Sequence, residues 1–207
     1  MVLRSFLSDC LCCLFAFMYA LLETTSVAEI MSPTPQVLLE LYSESWSSYL
    51  LPDVQLQVTT ALKLYEREYA DPGKFQDYSF VVFPMSKGYE GFLKQYFYDL
   101  HLISTKTYEG KRFRIGRALN PDVHLNQRDD WWLYDNIARA CGKNTARVLW
   151  ETWLVCRNRV FHFFPKKSTQ LDLVTAGKRL EMVATTMKEA VACAWDDLRT
   201  ERREKSA

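Results

Sequence analysis

The chain has 207 residues, 48% of them apolar and 14% aromatic, which suits one sizeable folded domain and excludes an intrinsically disordered protein. Its 26 basic and 25 acidic residues leave a net charge of +1, so no global field recruits nucleic acid and any such contact must come from a local patch. With 7 Gly and 7 Pro, the composition favours long regular elements over many tight turns.

Residues 1–31 form an apolar amino-terminal segment distinct from the rest, 32–207. Cys10 to Leu22 is an unbroken apolar run of 13 residues, too short for a confident membrane span. It reads first as a helix packed on the domain, without stable membrane association. Arg4 before the run and Ser26-Val27-Ala28 after it keep a signal peptide or anchor open, although Asp9 abuts the run and three Cys crowd it. A start codon assigned too early is the third reading, with Met18 and Met31 available.

Ser32-Pro33-Thr34-Pro35 breaks the chain, and a helix is expected from Pro35 with Val37, Leu38, Leu41, Trp46 and Leu50 near helical spacing, interrupted at Pro52. A second helix spans about Val54 to Tyr69, carries Val58, Ala61, Leu62 and Tyr65 on one stripe, and ends at Asp71-Pro72-Gly73. In the aromatic segment Tyr78 to Ile103, Phe92, Tyr96, Leu100 and Ile103 share a helix face. Lys106 to Ile115 alternates loosely and predicts a short hairpin or an irregular insertion around 106–117. Asn120-Pro121-Asp122 is a turn. Asp129 and Asp130 are expected to open a helix bearing Trp131, Trp132, Tyr134, Ile137 and Ala140, closed by Gly142. Asn144-Thr145 is expected to cap the next helix, whose stripe is Leu149, Trp153, Cys156, Val160 and Phe163. After a loop from Pro165 to Gln170, a last helix runs from about Asp172 to Glu204, antiparallel to its predecessor. The fold class is mainly α: a helical bundle without a strand-rich region.

The six Cys lie at 10, 12, 13, 141, 156 and 193, with no C-x-x-C pair, and the three His at 101, 124 and 162 are scattered. They read as reduced, mostly buried small hydrophobes, and no metal site or other cofactor is expected.

The chemistry concentrates in R-N-R-V-F-H, Arg157 to His162. It joins a fixed fork of donors suited to phosphate with the side chain best able to move a proton near neutral pH. On an ideal helix, at roughly 100° per residue, Arg157 and His162 lie about 140° apart. Either the helix loosens ahead of Pro165, or a second protomer completes the site. Asn158 and His162, four apart, can face one another, and the amide would then fix the imidazole tautomer.

An Arg-Asn pair followed by His at the end of one bundle helix resembles the R-x4-6-H motif of the HEPN superfamily (higher eukaryotes and prokaryotes nucleotide-binding). V-V-F-P-M-S-K-G-Y-E-G-F-L-K (Val81 to Lys94) and I-G-R-A-L-N (Ile115 to Asn120) are similar to the carboxy-terminal domain of the RNase LS toxins, over roughly residues 35–200. In that branch an acidic residue joins Arg and His, and Glu90 is the matching position. The resemblance implies a metal-independent endoribonuclease, a toxin or antiphage factor of the cytoplasm. It further implies a homodimer with a composite active site, and cleavage of single-stranded RNA to 2′,3′-cyclic phosphate and 5′-hydroxyl ends, with no action on DNA. Arg157, His162, Glu90 and Asn158 are the catalytic candidates. Some HEPN toxins carry a modifiable Tyr two residues after the His; here that position is Phe164, so a protein antitoxin is the expected neutraliser. The amino-terminal domains of the RNase LS toxins have no counterpart in this chain.

Lys111, Arg112, Arg114 and Arg117 form the densest basic cluster, with Arg159, Lys166 and Lys167 in or beside the motif; these are the candidates for holding RNA phosphates, against a plain solvated face. Trp131 and Trp132 read as core and dimer contacts, with base stacking as the less favoured role. The alternative to an enzyme is a non-catalytic HEPN module that binds RNA or a protein.

Overall fold

A computed structural model describes residues 32–165 and 170–193. The first helix, α1 (Pro35–Ser43), starts where proline's fixed φ suits a first turn and the Thr34 hydroxyl accepts from the Val37 amide. It stops sooner than the apolar spacing suggests. Trp46 lies in a separate 3₁₀ turn (Ser45–Tyr49), its indole N–H donating to the Leu41 carbonyl, while Val37 faces solvent. Pro52 opens rather than merely interrupts: it is the first residue of α2 (Pro52–Ala70). Val58, Ala61, Leu62 and Tyr65 are buried along α2, as their spacing requires.

The axis of the fold is α3 (Ser79–Asp99). Val81, Val82, Met85, Tyr89, Phe92, Leu93, Tyr96 and Phe97 are all fully buried, so this helix is covered on most of its circumference. Its start is stapled to the far end of the chain. The Asp77 carboxylate accepts from the Ser79 amide and hydroxyl and from the Leu171 amide, and the Tyr78 amide donates to the Leu171 carbonyl at 2.8 Å. It ends in a Schellman turn: His101 takes the left-handed conformation (φ 56°) while the His101 and Leu102 amides bond the Tyr98 and Phe97 carbonyls.

Directly after α3 the chain forms two short helices, α4 (Thr105–Glu109) and α5 (Ile115–Leu119). The hairpin foreseen over 106–117 does not form, because Ser104 caps α4 and Ile115, Ala118 and Leu119 are buried on one helical side. Trp131 and Trp132 sit in the turn before α6 (Tyr134–Cys141) rather than inside it. Gly142 then adopts φ 88° and leads directly into α7 (Lys143–Thr152). Asn144-Thr145 is therefore inside the helix and not its cap; the Thr145 hydroxyl bonds back to the Cys141 carbonyl.

After Thr152 the helix widens into a π-helical turn, Trp153–Asn158, followed by one α-turn, α8 (Arg159–Phe161). The last described helix is α9 (Leu173–Cys193), whose Ala176, Leu180, Val183, Met187 and Ala190 are fully buried. It runs antiparallel to α7 and the π-turn. Cys193 meets Cys141, Thr186 meets Thr152 at 2.8 Å, and the Arg179 carbonyl meets the Cys156 thiol at 3.8 Å. Cys141 and Cys193 form a disulfide with Cα atoms 5.8 Å apart, which corrects the expectation of reduced cysteines for that pair. Both lie at helix ends that antiparallel packing brings together, a proximity invisible in their separation of 52 residues. Among the described cysteines, Cys156 alone matches the buried, free reading. Cys10, Cys12 and Cys13, with all of residues 1–31, lie outside the described residues, as do Ala194, Leu198 and the rest of the carboxy terminus. The described residues form a mainly α bundle without a strand, and no helix among them is long and apolar enough to cross a membrane.

Candidate functional site

The site is built where α3 meets the π-turn. Gly88 and Gly91 let α3 approach α2 closely: a Cβ on Gly91 would sit 3.0 Å from Val54 Cγ2, and one on Gly88 3.3 Å from Gln57 Cβ. At roughly 100° per residue, Glu90 is then about 130° round from that contact, on the side facing the motif. Phe83, Ser86 and Glu90 occupy successive turns of that side, at i, i+3 and i+7. Each meets the π-turn or the turn after it. Phe83 packs on Phe161 at 4.7 Å between ring centroids, Ser86 donates to the Cys156 carbonyl at 2.5 Å, and Glu90 pairs with Arg157 at 3.4 Å.

The Ser86 contact accounts for the widened helix. Its buried hydroxyl also reaches the Val82 carbonyl at 2.9 Å, but Val82 lies in a regular helix and Cys156 does not. A side chain reaching into the backbone ladder is a recognised origin of such a bulge. Three residues later the helix stops at Phe161, ahead of Phe163-Phe164-Pro165, because the residue before proline avoids the helical region. His162 leaves in extended conformation (φ −115°, ψ 135°). The helix therefore does loosen before Pro165, by a π-turn and then by ending, and Arg157 and His162 are not on one continuous helix.

Arg157 is held by rings as much as by charge. Its guanidinium lies 4.9 Å from the Trp153 ring and 5.1 Å from the Phe161 ring. Trp153, Arg157 and Phe161 are spaced by four, a signal present in the sequence, though the reading above used only Trp153, as core. The 3.4 Å contact to Glu90 is long for a charge-assisted bond, and both side chains reach solvent, so the pair contributes on the order of 0–1 kcal/mol to stability. The Arg157 Nε is buried and has no hydrogen-bond partner.

Trp153 depends in turn on Gly116 of the I-G-R-A-L-N segment. A Cβ there would stand 2.7 Å from the indole Nε1, so only glycine lets α5 close over the ring. The three stretches singled out in the sequence thus meet in one structure: Gly116 seats Trp153, Trp153 carries Arg157, and Arg157 meets Glu90.

The other candidates fall less neatly. His162 is exposed and, among the described residues, makes no hydrogen bond; its ring lies 6.5 Å from Phe164, edge to face. Asn158 is half-buried in the π-turn and does not bond His162, because the extended backbone at 162 carries the imidazole off the i, i+4 line. Arg117 pairs with Asp129 at 3.0 Å and donates to the Gln127 carbonyl at 2.6 Å, which braces the loop before α6. Lys111, Arg112, Arg114 and Arg159 are exposed; Lys166 and Lys167 lie outside the described residues. Trp132 is core, its indole donating to the Asn120 carbonyl beneath the Arg128 guanidinium, whereas Trp131 is 41% exposed.

Cys156, next to Arg157, is no nucleophile: burial pushes its thiol up to about 12, against the opposing pull of Arg179. Among the described residues no group of three or more His, Cys, Asp or Glu converges as a metal site. No family model, no curated protein and no solved structure matches the chain.

Proposed function

We propose that this chain is a HEPN-type endoribonuclease that cleaves single-stranded RNA, acting as a toxin or in antiphage defence in the cytoplasm. The observation that supports it most is the meeting of Glu90 and Arg157, 67 residues apart in sequence, beside a helix end that releases His162. The same guanidinium lies beside the Trp153 and Phe161 rings, on the helix that ends at His162.

His162 takes the proton from the ribose 2′-hydroxyl as that oxygen attacks its own phosphorus. The new O2′–P bond forms as the P–O5′ bond breaks, and the departing 5′-oxygen takes a proton from water, leaving a 5′-hydroxyl. Arg157 neutralises charge building on the non-bridging oxygens, where its free N–H groups make bonds absent in the resting protein. Glu90 holds the guanidinium against rotation. DNA lacks the attacking hydroxyl and is not a substrate. Base and charge stabiliser are both side chains of the protein, so the reaction runs in chelator.

Exposed Phe83, Phe161 and Phe163 surround the motif, and in this reading a second copy covers them, completing the cleft as the HEPN resemblance implies. A protein antitoxin silences the enzyme by occluding that cleft, since Phe164 has no hydroxyl to modify.

RNA cleavage in EDTA by wild type, Arg157→Ala and His162→Ala tests the site. Loss in both variants, with folding intact by circular dichroism, is expected. Equal activity in all three would remove these residues from the chemistry and leave a binding module as the better reading.

A further inference from the structure

Away from the Arg157 site, α4 and the chain leading out of it form one wall of a cleft of about 610 Å³, and Trp131 forms another. That volume is in the range of small-molecule and cofactor sites. Lys106, Lys111 and Arg112 line it beside Thr107, Phe113 and Trp131, and no carboxylate is part of the lining. None of the three cations has an acidic partner among the described residues. Asp129, two residues before Trp131, is engaged by Arg117 and by the Trp131 amide.

Trp131 is fixed rather than loose. It stands edge-on to Phe113 at 6.3 Å, and Phe113 stands edge-on to Phe97 at 6.4 Å. Phe113 is buried and Phe97 fully so, which roots an exposed indole in the core through an aromatic ladder. An immobilised aromatic ring with unpaired cations around it is complementary to one ligand chemistry: a flat base joined to a phosphate.

We propose that this cleft binds a nucleotide, the base stacked on Trp131 and the phosphate held by Lys106, Lys111 and Arg112. The unit is an unpaired nucleotide of the RNA strand, an assignment that rests on the RNase reading only for the identity of the larger ligand. A free mononucleotide carries the same chemistry. The pocket would anchor the strand away from the cleaved bond.

The experiment uses a fluorescent 2′-O-methyl single-stranded oligonucleotide, which keeps base and phosphate but cannot be cleaved, and follows its anisotropy. Trp131→Ala should weaken binding on the order of ten- to a hundredfold, while Trp131→Phe retains most of it. Lys111→Ala and Arg112→Ala should each lower the salt-dependence slope by about one. Displacement of the probe by AMP as well as by unlabelled single strands identifies a free nucleotide as the ligand; displacement by single strands alone identifies RNA. Unchanged affinity in Trp131→Ala, with an unchanged fold by circular dichroism, overturns the pocket even if RNA is cleaved. Conversely, a wild type that cleaves no RNA but loses oligonucleotide binding with Trp131→Ala keeps the pocket and discards the RNase.

Discussion

Replacing Ser86 by Ala probes how the site is held. The hydroxyl has one proton and two carbonyls in reach, those of Val82 at 2.9 Å and Cys156 at 2.5 Å. Val82 keeps its helical partner when Ser86 is truncated, because the amide of residue 86 remains. Cys156, in the π-turn, loses the side-chain donor that reaches it across the helix interface. A buried carbonyl left without a donor costs about 1–3 kcal/mol, offset slightly because alanine no longer buries a hydroxyl. A net loss of about 2 kcal/mol lowers Tm by roughly 4–8 °C in a domain of this size. Thermal unfolding followed by circular dichroism measures it. RNA cleavage should fall by more than the unfolded fraction explains, since the π-turn positions Arg157. A Tm within about 1 °C of wild type would refute the idea that Ser86 holds the π-turn.

Three further outcomes follow from named contacts. Gly116→Ala gains up to about 1 kcal/mol of helix propensity but forces a Cβ to 2.7 Å from the Trp153 indole; overpacking of about 1–3 kcal/mol wins, so urea unfolding should show a net loss near 1–2 kcal/mol together with reduced cleavage. Reducing the Cys141–Cys193 link, which spans 52 residues, should lower stability by up to about 4 kcal/mol on chain entropy, measured as the shift in urea midpoint with and without dithiothreitol. Acid should destabilise the fold below about pH 4. For Asp77, burial raises the carboxyl but bonds from Ser79 and Leu171 outweigh it, and the Thr175 amide and hydroxyl lower Asp172. Both folded values lie below the unfolded ones, so the stabilisation is present above the unfolded pKa and is lost as pH falls through the folded values. Asp77→Asn should weaken the protein at pH 7 and flatten this acid limb in a pH series of Tm.

The long helices were legible because α2 and α9 each bury one regular stripe, which periodicity reports, and because α3 is a long apolar, aromatic run buried on most of its circumference. The elements that went astray are those decided by local chemistry or by partners far along the chain. Trp131 and Trp132 suit a helix by hydrophobicity, yet Trp131 stands on Phe113, eighteen residues earlier, and Trp132 lies under Arg128 and bonds the Asn120 carbonyl, so both are held by the loop before the helix. The Cys141–Cys193 pair follows from antiparallel packing of α7 and α9, which spacing alone does not supply. At the site, the geometric objection to Arg157 and His162 sharing a helix face was sound, and the chain meets it with a π-turn whose origin is Ser86, a residue with no chemical signature of its own. The Asn158–His162 contact failed for the same reason: it assumed an α-helix through a segment that is not one.

The central claim is that Arg157 and His162 drive attack of a ribose 2′-hydroxyl on its own phosphate. Its most direct measurement is the end chemistry of an oligonucleotide cleaved in EDTA, run beside the same sequence with 2′-deoxyribose at the cleaved position. The first strand should yield 2′,3′-cyclic phosphate and 5′-hydroxyl ends, and the second should stay intact. Cleavage of the deoxy-substituted strand, or products bearing 5′-phosphates, would contradict it.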